Sequence, residues 1–272
     1  MPKQFWTYFH QDRRLLSDIA FLGASVIKRW IQAEYGVVPI VLVIPHTFGR
    51  RLNFHPHLHI LVSAGALNKR KNCWIHFRHI DQYALMYWWR FAVVHYLAEA
   101  LGPQVGDEGS FREVLARQCK RPWNIHVKRF SSKWHFLRYA ARYLRRPPIA
   151  QYRIVDITDE HVEYWANDLK LKAWVKIKVS VKEFLELLIQ HVPDRYAHGI
   201  RYFGLTSPAG KFLFSSAMFA VLGEEQKLRP KRLSFEAMSL KCFGVNPILD
   251  SHGQRMRRVG RHAPASAPAK EA

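Results

Sequence analysis

The sequence predicts an α+β fold, with helices packed on an antiparallel or mixed central sheet that carries a histidine-rich strand. Two observations predict it. Stretches of helical and of alternating periodicity follow one another irregularly, without the regular strand–helix repeat of a parallel sheet. Short polar turns join neighbouring apolar runs, which implies tight hairpins.

In order along the chain, residues 12–35 read as a helix, because Leu15, Leu16, Ile19, Leu22, Val26, Ile27, Trp30 and Ile31 recur at helical spacing and Gly36 suits a C-cap. Residues 37–44 form a short β-branched run around Pro39 and read as a strand, and His46-Thr47-Phe48-Gly49-Arg50-Arg51 reads as a turn. Residues 54–64 read as a second strand, ended by Gly65, that pairs with the first as a hairpin. Residues 80–101 read as a helix rich in aromatics (Tyr83, Tyr87, Trp88, Trp89, Phe91) and stopped by Gly102-Pro103. A short helix at 110–119 and an alternating strand at 123–130 follow, then a helix at 133–146 stopped by Pro147-Pro148. Residues 151–158 and 162–178 read as strands. Residues 180–191 read as a helix with Ser180 as N-cap and Glu183 in the capping-box position. A short strand is expected at 200–205. The expected organisation is an N-terminal helical segment (1–36), a core (37–215), a basic C-terminal region (216–260) and a disordered tail (261–272).

Lys and Arg number 42 against 21 Asp and Glu, giving a net charge of +21 over 272 residues. Such an excess points to a polyanionic partner, nucleic acid first and an anionic membrane surface second. Nine Trp, eleven Tyr and seventeen Phe lie among these cations, a mixture that suits stacking on unpaired bases as well as filling a core. Cys73, Cys119 and Cys242 are scattered without a CxxC, so neither a zinc ribbon nor a disulfide framework is expected. No apolar run approaches a membrane span, and no signal-peptide pattern opens the chain. The expectation is a cytoplasmic protein. No nucleotide-binding fingerprint is present either.

Two groups of residues carry chemistry. In Asn53-Phe54-His55-Pro56-His57-Leu58-His59-Ile60-Leu61-Val62, histidines occupy alternate positions at the start of an apolar run. In a strand, His57 and His59 share a face, roughly 7 Å apart at Cα, and suit one metal ion. A bare imidazole on a buried strand is costly without a partner, although a histidine-rich surface strand is the simpler reading of His-x-His alone. His46, at the end of the preceding strand, approaches the same face if the hairpin forms. His55 is a rival third ligand that Pro56 turns aside. In Arg138-Tyr139-Ala140-Ala141-Arg142-Tyr143-Leu144-Arg145-Arg146, two phenols lie four residues apart on one helix face among four arginines. An amphipathic helix that simply buries Tyr139 and Tyr143 beside Phe136 and Leu137 is the alternative. Lys176 and Lys178 alternate on one strand face and are candidates to track a DNA backbone.

Together these residues resemble the two-tyrosine HUH transposases, which move insertion sequences by a rolling-circle route. The resemblance covers most of residues 10–260 in order. It extends to His191-Val192-Pro193, Ile200-Arg201-Tyr202-Phe203-Gly204-Leu205, and Arg232-Leu233-Ser234-Phe235 with Leu240-Lys241-Cys242-Phe243-Gly244-Val245-Asn246-Pro247. It implies that His57 and His59 hold a divalent ion, Mg or Mn; the family has no fixed histidine at the position of His46, whose role as third ligand rests on the hairpin reading alone. It also implies that Tyr139 and Tyr143 are nucleophiles, forming a 5′-phosphotyrosine on single-stranded DNA at the element's ends. Arg138, Arg142, Arg145, Arg146, Lys176, Lys178 and Arg201 are the expected DNA contacts. The family carries an N-terminal cysteine-rich zinc-binding domain and a first apolar strand, and the chain is expected to be a truncated copy lacking both. The family's cysteine pair after Asn246-Pro247 is replaced by Leu249 to Met256. Two alternatives remain: a nucleic-acid-binding remnant without chemistry, and a rolling-circle replication initiator using the same residues.

Overall fold

The computed structural model describes residues 1–68, 73–102, 108–144, 146–168, 171–204, 207 and 233–256. The chain divides into two units, Met1–Gly223 and Glu224–Ala272. The fold is α+β with antiparallel sheets.

The first unit opens with a short 3-10 turn at Lys3–Phe5 and helix α1 (Trp6–Gln11), followed by α2 (Arg14–Tyr35). Burial of Leu15, Ile19, Val26, Trp30 and Ile31 follows the helical apolar spacing of α2, and Gly36 closes it at φ 67°, a left-handed cap that glycine adopts without strain. Strands β1 (Val41–Phe48) and β2 (Phe54–Val62) form the expected hairpin, and β8 (Arg201–Phe203) adds to the other edge of β1, giving the order β2-β1-β8. The first strand starts later than expected and continues through His46 and Phe48, which were expected in the turn. The reason is pairing: His46 lies opposite His57 and Phe48 opposite Phe54, with an irregularity between them at Thr47.

The two faces of this sheet have different neighbours. Val41 and Val43, with Leu58, Ile60 and Val62, pack on Ala20 and Ala24 of α2. Gly23 permits this closeness, because a Cβ there would sit 2.8 Å from Leu58 Cδ1. Ile44 and Leu61 pack on the other face against Ala140 of α5 (Lys133–Leu144).

Residue 65 starts a strand instead of ending one. Strands β3 (Gly65–Asn68) and β4 (Cys73–His76) form a second hairpin, which lies against α2 and α3 (Gln82–Leu101) through Ala66 and Phe77. Asp81 caps α3 by accepting from the Tyr83 and Ala84 amides at 2.8 and 3.1 Å. Helix α4 (Glu108–Cys119) joins α1, α2 and α3 in one cluster through Phe111 and Leu115.

Residues 123–130 are extended but form no strand. Their alternation has another cause: Trp123, Ile125 and Val127 pack into the helical core, and the Val127 amide donates to Gln82 Oε1 at 3.3 Å, so no ladder is needed.

A third sheet, β5 (Ile154–Ile157), β6 (His161–Asp168) and β7 (Ala173–Ser180), is an antiparallel meander preceded by a 3-10 turn at Gln151–Arg153. Its inner face packs on α6 (Val181–Ile189), which Ser180 caps by accepting from the Glu183 amide at 3.2 Å. In the second unit, α7 (Phe235–Phe243), for which no helix is expected from the sequence, is capped by Ser234 and ended by Gly244 at φ 69°. The expected tail at 261–272, and residues 216–232 and 257–260 of the basic region, lie outside the described residues. Cys73, Cys119 and Cys242 are free and exposed. Among the described residues, no helix is long and apolar enough to cross a membrane.

Candidate metal and tyrosine centre

The hairpin register sets His46 directly across from His57, and Ile44 across from His59. His57 and His59 are alternate residues of one strand, so all three imidazoles project from the sheet face that α5 covers. One nitrogen from each ring falls within 4.8 Å of the others. Nitrogens bound to one ion at ~2.1 Å lie at most about 4.2 Å apart, so ligation needs only a small inward movement. His55, the rival ligand, is outside this group. Its ring stacks between Trp6 and His57, with centroids 4.9 Å from each, and its carbonyl accepts from His57 Nδ1 at 2.8 Å.

Hydrogen bonds fix two tautomers. A carbonyl only accepts, so His57 Nδ1 carries the proton and Nε2 keeps its lone pair in the neutral ring. His46 Nε2 donates to the Tyr143 carbonyl at 3.2 Å, which leaves Nδ1 as the lone-pair nitrogen. That Nδ1 is buried, in a side chain 5% exposed, and finds no hydrogen-bond partner among the described residues. An orphaned acceptor of this kind costs about 1–3 kcal/mol unless something electrophilic meets it. Burial is the main cause that lowers the pKa of all three rings, to about 4 for His46 and about 3 for His59, assisted by His57 and by Arg146. Neutral imidazoles with oriented lone pairs are the donor form a divalent ion requires, so these residues fit a metal.

Helix α5 brings the tyrosines to the same face. Ala140 is small enough for the helix to lie against Ile44 and Leu61. The Tyr143 ring then packs on His59, centroid to centroid 4.3 Å, and Tyr139 packs on Tyr143 at 4.4 Å. Burial, followed by the neighbouring Tyr143, raises the pKa of Tyr139.

The expected DNA-contacting cations divide. Arg138 and Arg142 are exposed on α5, and Arg146 lies 5.5 Å over the Tyr143 ring. Arg145 is outside the described residues. Lys176 and Lys178 face outward from β7, where both pair with Glu163 of β6 at 3.3 and 3.8 Å. Arg201 is engaged internally: it donates to Ser17 Oγ at 2.7 Å and to the His198 carbonyl at 3.1 Å, and it lies 5.2 Å over Phe21. These bonds anchor the sheet edge.

A buttress behind the histidines was not read from the sequence. Leu52, in the β1–β2 turn, takes φ 61° and is fully buried among Val162, Tyr164, Ala166 and Phe184. Its carbonyl accepts from His191 Nε2 at 2.8 Å and from Gln190 Nε2 at 3.0 Å, while His191 Nδ1 meets Thr47 Oγ1 at 3.1 Å. Arg153 donates to the Arg50 carbonyl at 2.8 Å and to the Trp165 carbonyl at 2.7 Å. Its mark in the sequence is His191, in the stretch His191-Val192-Pro193, for which the resemblance implies no role.

Comparison with known proteins agrees in kind. The sequence model of a family described as "Putative transposase" (Y2_Tnp) matches residues 40–211, which include every residue of this centre. The chain is 28% identical over 267 residues to the "Transposase for insertion sequence element IS801" of Pseudomonas savastanoi pv. phaseolicola, covering 91% of this chain and 62% of that protein. It is 26% identical over 222 residues to the "Putative transposase y4qJ" of Sinorhizobium fredii, covering 75% of this chain and 56% of that protein. The chain thus spans about three-fifths of the length of these relatives. No solved structure matches it.

Proposed function

We propose, for a chain that belongs to the Y2_Tnp family of transposases, that it cuts and rejoins single-stranded DNA at insertion-sequence ends through a 5′-phosphotyrosine. The observation that carries this reading is the convergence of His46, His57 and His59 with the Tyr143 ring on one face of the sheet. The relatives described as transposases make DNA the natural partner, and the net charge of +21 suits it.

In this reading His46, His57 and His59 hold a divalent ion, Mg or Mn. When bound, the ion supplies Lewis-acid charge to the phosphate under attack. Tyr143, which touches the histidines, is the first nucleophile, and Tyr139, stacked behind it, is the second. The Tyr143 oxygen bonds to phosphorus, the bond from phosphorus to the 3′ oxygen breaks, and that oxygen leaves as a 3′-hydroxyl after taking up a proton. The phenolic proton passes to solvent. Arg146 places a permanent cation beside the Tyr143 ring, suited to a phosphate oxygen. Attack of the free 3′-hydroxyl on the phosphotyrosine reverses the step and rejoins the strand.

Incubating the purified chain with element-end oligonucleotides and Mn²⁺ tests this. DNA labelled at its 3′ end should become covalently attached to protein, and DNA labelled at its 5′ end should be released shorter. Tyr143→Phe should abolish the first adduct, while Tyr139→Phe should spare it. Absence of any adduct, or an adduct that survives both substitutions together, refutes the proposal.

A further inference from the structure

Helix α3 carries a row of largely exposed aromatic side chains. Tyr83, Tyr87 and Phe91 are 72%, 55% and 70% exposed, and Trp88 beside them is 41% exposed. Four-residue spacing places the three rings on one face, about 6 Å apart along the axis, a step comparable to the repeat of an extended single strand. The row ends at His95, which pairs with Glu99 at 3.5 Å.

The extended segment 121–130 runs antiparallel to α3 along the edge of this row. Three hydrogen bonds fix it there: Arg90 to the Arg121 carbonyl at 2.7 Å, the Val127 amide to Gln82 at 3.3 Å, and Arg129 to the Arg78 carbonyl at 3.3 Å. Its apolar side chains point inward, so Asn124, His126 and Lys128 are exposed. Arg90 lies 4.9 Å over the Tyr87 ring, and Lys128 lies 5.5 Å over Phe130. Phe130 in turn packs against Tyr139, with centroids 5.0 Å apart. A line of rings and cations therefore leads from α3 to the tyrosine helix, over about 30 Å for nine extended residue steps.

We propose that this line is a binding track for unpaired DNA, with bases stacked on Tyr83, Tyr87 and Phe91 and the phosphates beside Arg90, Arg121, Lys128 and Arg129. Rings supply sequence-tolerant stacking and the flanking cations meet the backbone. Charge decides against a second copy of the chain as occupant, because two surfaces so rich in arginine repel. The track rests on the transposase reading for its partner, DNA, and is independent of the cleavage chemistry.

The test uses the full chain carrying Tyr139→Phe and Tyr143→Phe, in chelator, titrated into a fluorescent oligo-dT and into a duplex of the same length. Tyr83→Ala, Tyr87→Ala and Phe91→Ala should each weaken oligo-dT binding on the order of tenfold, while Tyr87→Phe, which keeps the ring, should bind as the parent does. Duplex binding should change little. Parental oligo-dT affinity in the alanine variants, with unchanged thermal unfolding, overturns the track. So does a change in self-association by light scattering without a change in DNA affinity. An adduct in the cleavage assay together with normal binding by the alanine variants removes the track alone; loss of binding without any adduct removes only the chemistry.

Discussion

Acid should destabilise the metal-free chain from pH 6.5 downward, before carboxylates begin to titrate, and the buried histidines of the β1–β2 hairpin set the size of the effect. Burial lowers the pKa of His46 and His55 to about 4 and of His59 to about 3, from 6.5. A depressed pKa means that the unfolded chain binds more protons than the native one as soon as pH falls below 6.5. The stability contributed by these rings is therefore complete above pH 6.5 and is lost as pH falls toward 4 and then 3. At pH 4.5, two units below the unfolded value, each ring forfeits at most about 2–3 kcal/mol. The rings influence one another and keep some contact with water, so their shares do not add in full, and the total is on the order of 4–8 kcal/mol. That is comparable with the whole stability of a domain. Urea unfolding in chelator, followed by tryptophan fluorescence at half-unit pH steps, reads the effect directly. The expected slope approaches about 1.4 kcal/mol per pH unit for each ring, and His59→Asn should remove one ring's share. Saturating Mn²⁺ at about a hundredfold its dissociation constant should add about 2.7 kcal/mol at pH 7.5, an increment that should disappear only below about pH 4, where protons occupy the native rings. Stability that is flat between pH 6.5 and 4.5, or a slope that His59→Asn leaves unchanged, refutes the account of His46, His55 and His59 as buried neutral imidazoles.

Two further outcomes follow from the scaffold. His191→Ala should cost about 2–4 kcal/mol by leaving Thr47 and the turn carbonyl of Leu52 short of a partner; it should also weaken Mn²⁺ binding in calorimetry, although His191 lies outside the three-nitrogen group, and unchanged affinity would show the turn to be irrelevant to the site. Gly204→Ala should destabilise the edge strand by about 2–4 kcal/mol, since φ is +71° and a new Cβ would collide with the Pro39 carbonyl oxygen; faster hydrogen exchange at Val41 and Val43 is the expected sign, and parental protection there would contradict it.

Local pattern made much of this legible. The spacing of Leu15 to Ile31 specified α2, the alternation of His57, His59 and Leu61 specified the sheet face they share, and the four-residue step from Tyr139 to Tyr143 specified a helix face. What stayed hidden was partner identity. Residues 123–130 alternate as a strand would, but period two reports only an extended chain with one buried side, and here the buried side meets helices. Gly65 resembles a terminator, yet the chain bends at Ala64, the Ser63 hydroxyl donates to the Gly65 carbonyl at 2.6 Å, and pairing resumes at once. Arg201 reads as a DNA-facing cation because sequence shows its charge and not Ser17, which is 184 residues away.

Leu52 is the sharpest instance, and it ties the third sheet to the chemistry. Between Arg51 and Asn53 it looks like an incidental apolar residue in a polar turn. It is instead buried in the core of a sheet more than a hundred residues downstream, and the carbonyls of Arg50, Arg51 and Leu52 are bonded by Arg153, Tyr164 and His191. A hairpin's register depends on its turn, and a one-residue slip carries every side chain to the opposite face. Slippage of β2 against β1 would turn His57 and His59 toward α2, away from His46 and Tyr143. The irregularity at Thr47, where the pairing shifts between His46 and Phe48, is the point at which such slippage would begin, and His191 bonds Thr47 itself. The meander of β5, β6 and β7 with α6 thus acts as a clamp on the register that aligns three imidazoles with a phenol, which is why loss of metal affinity in His191→Ala is the expected consequence of a residue that offers the metal no ligand.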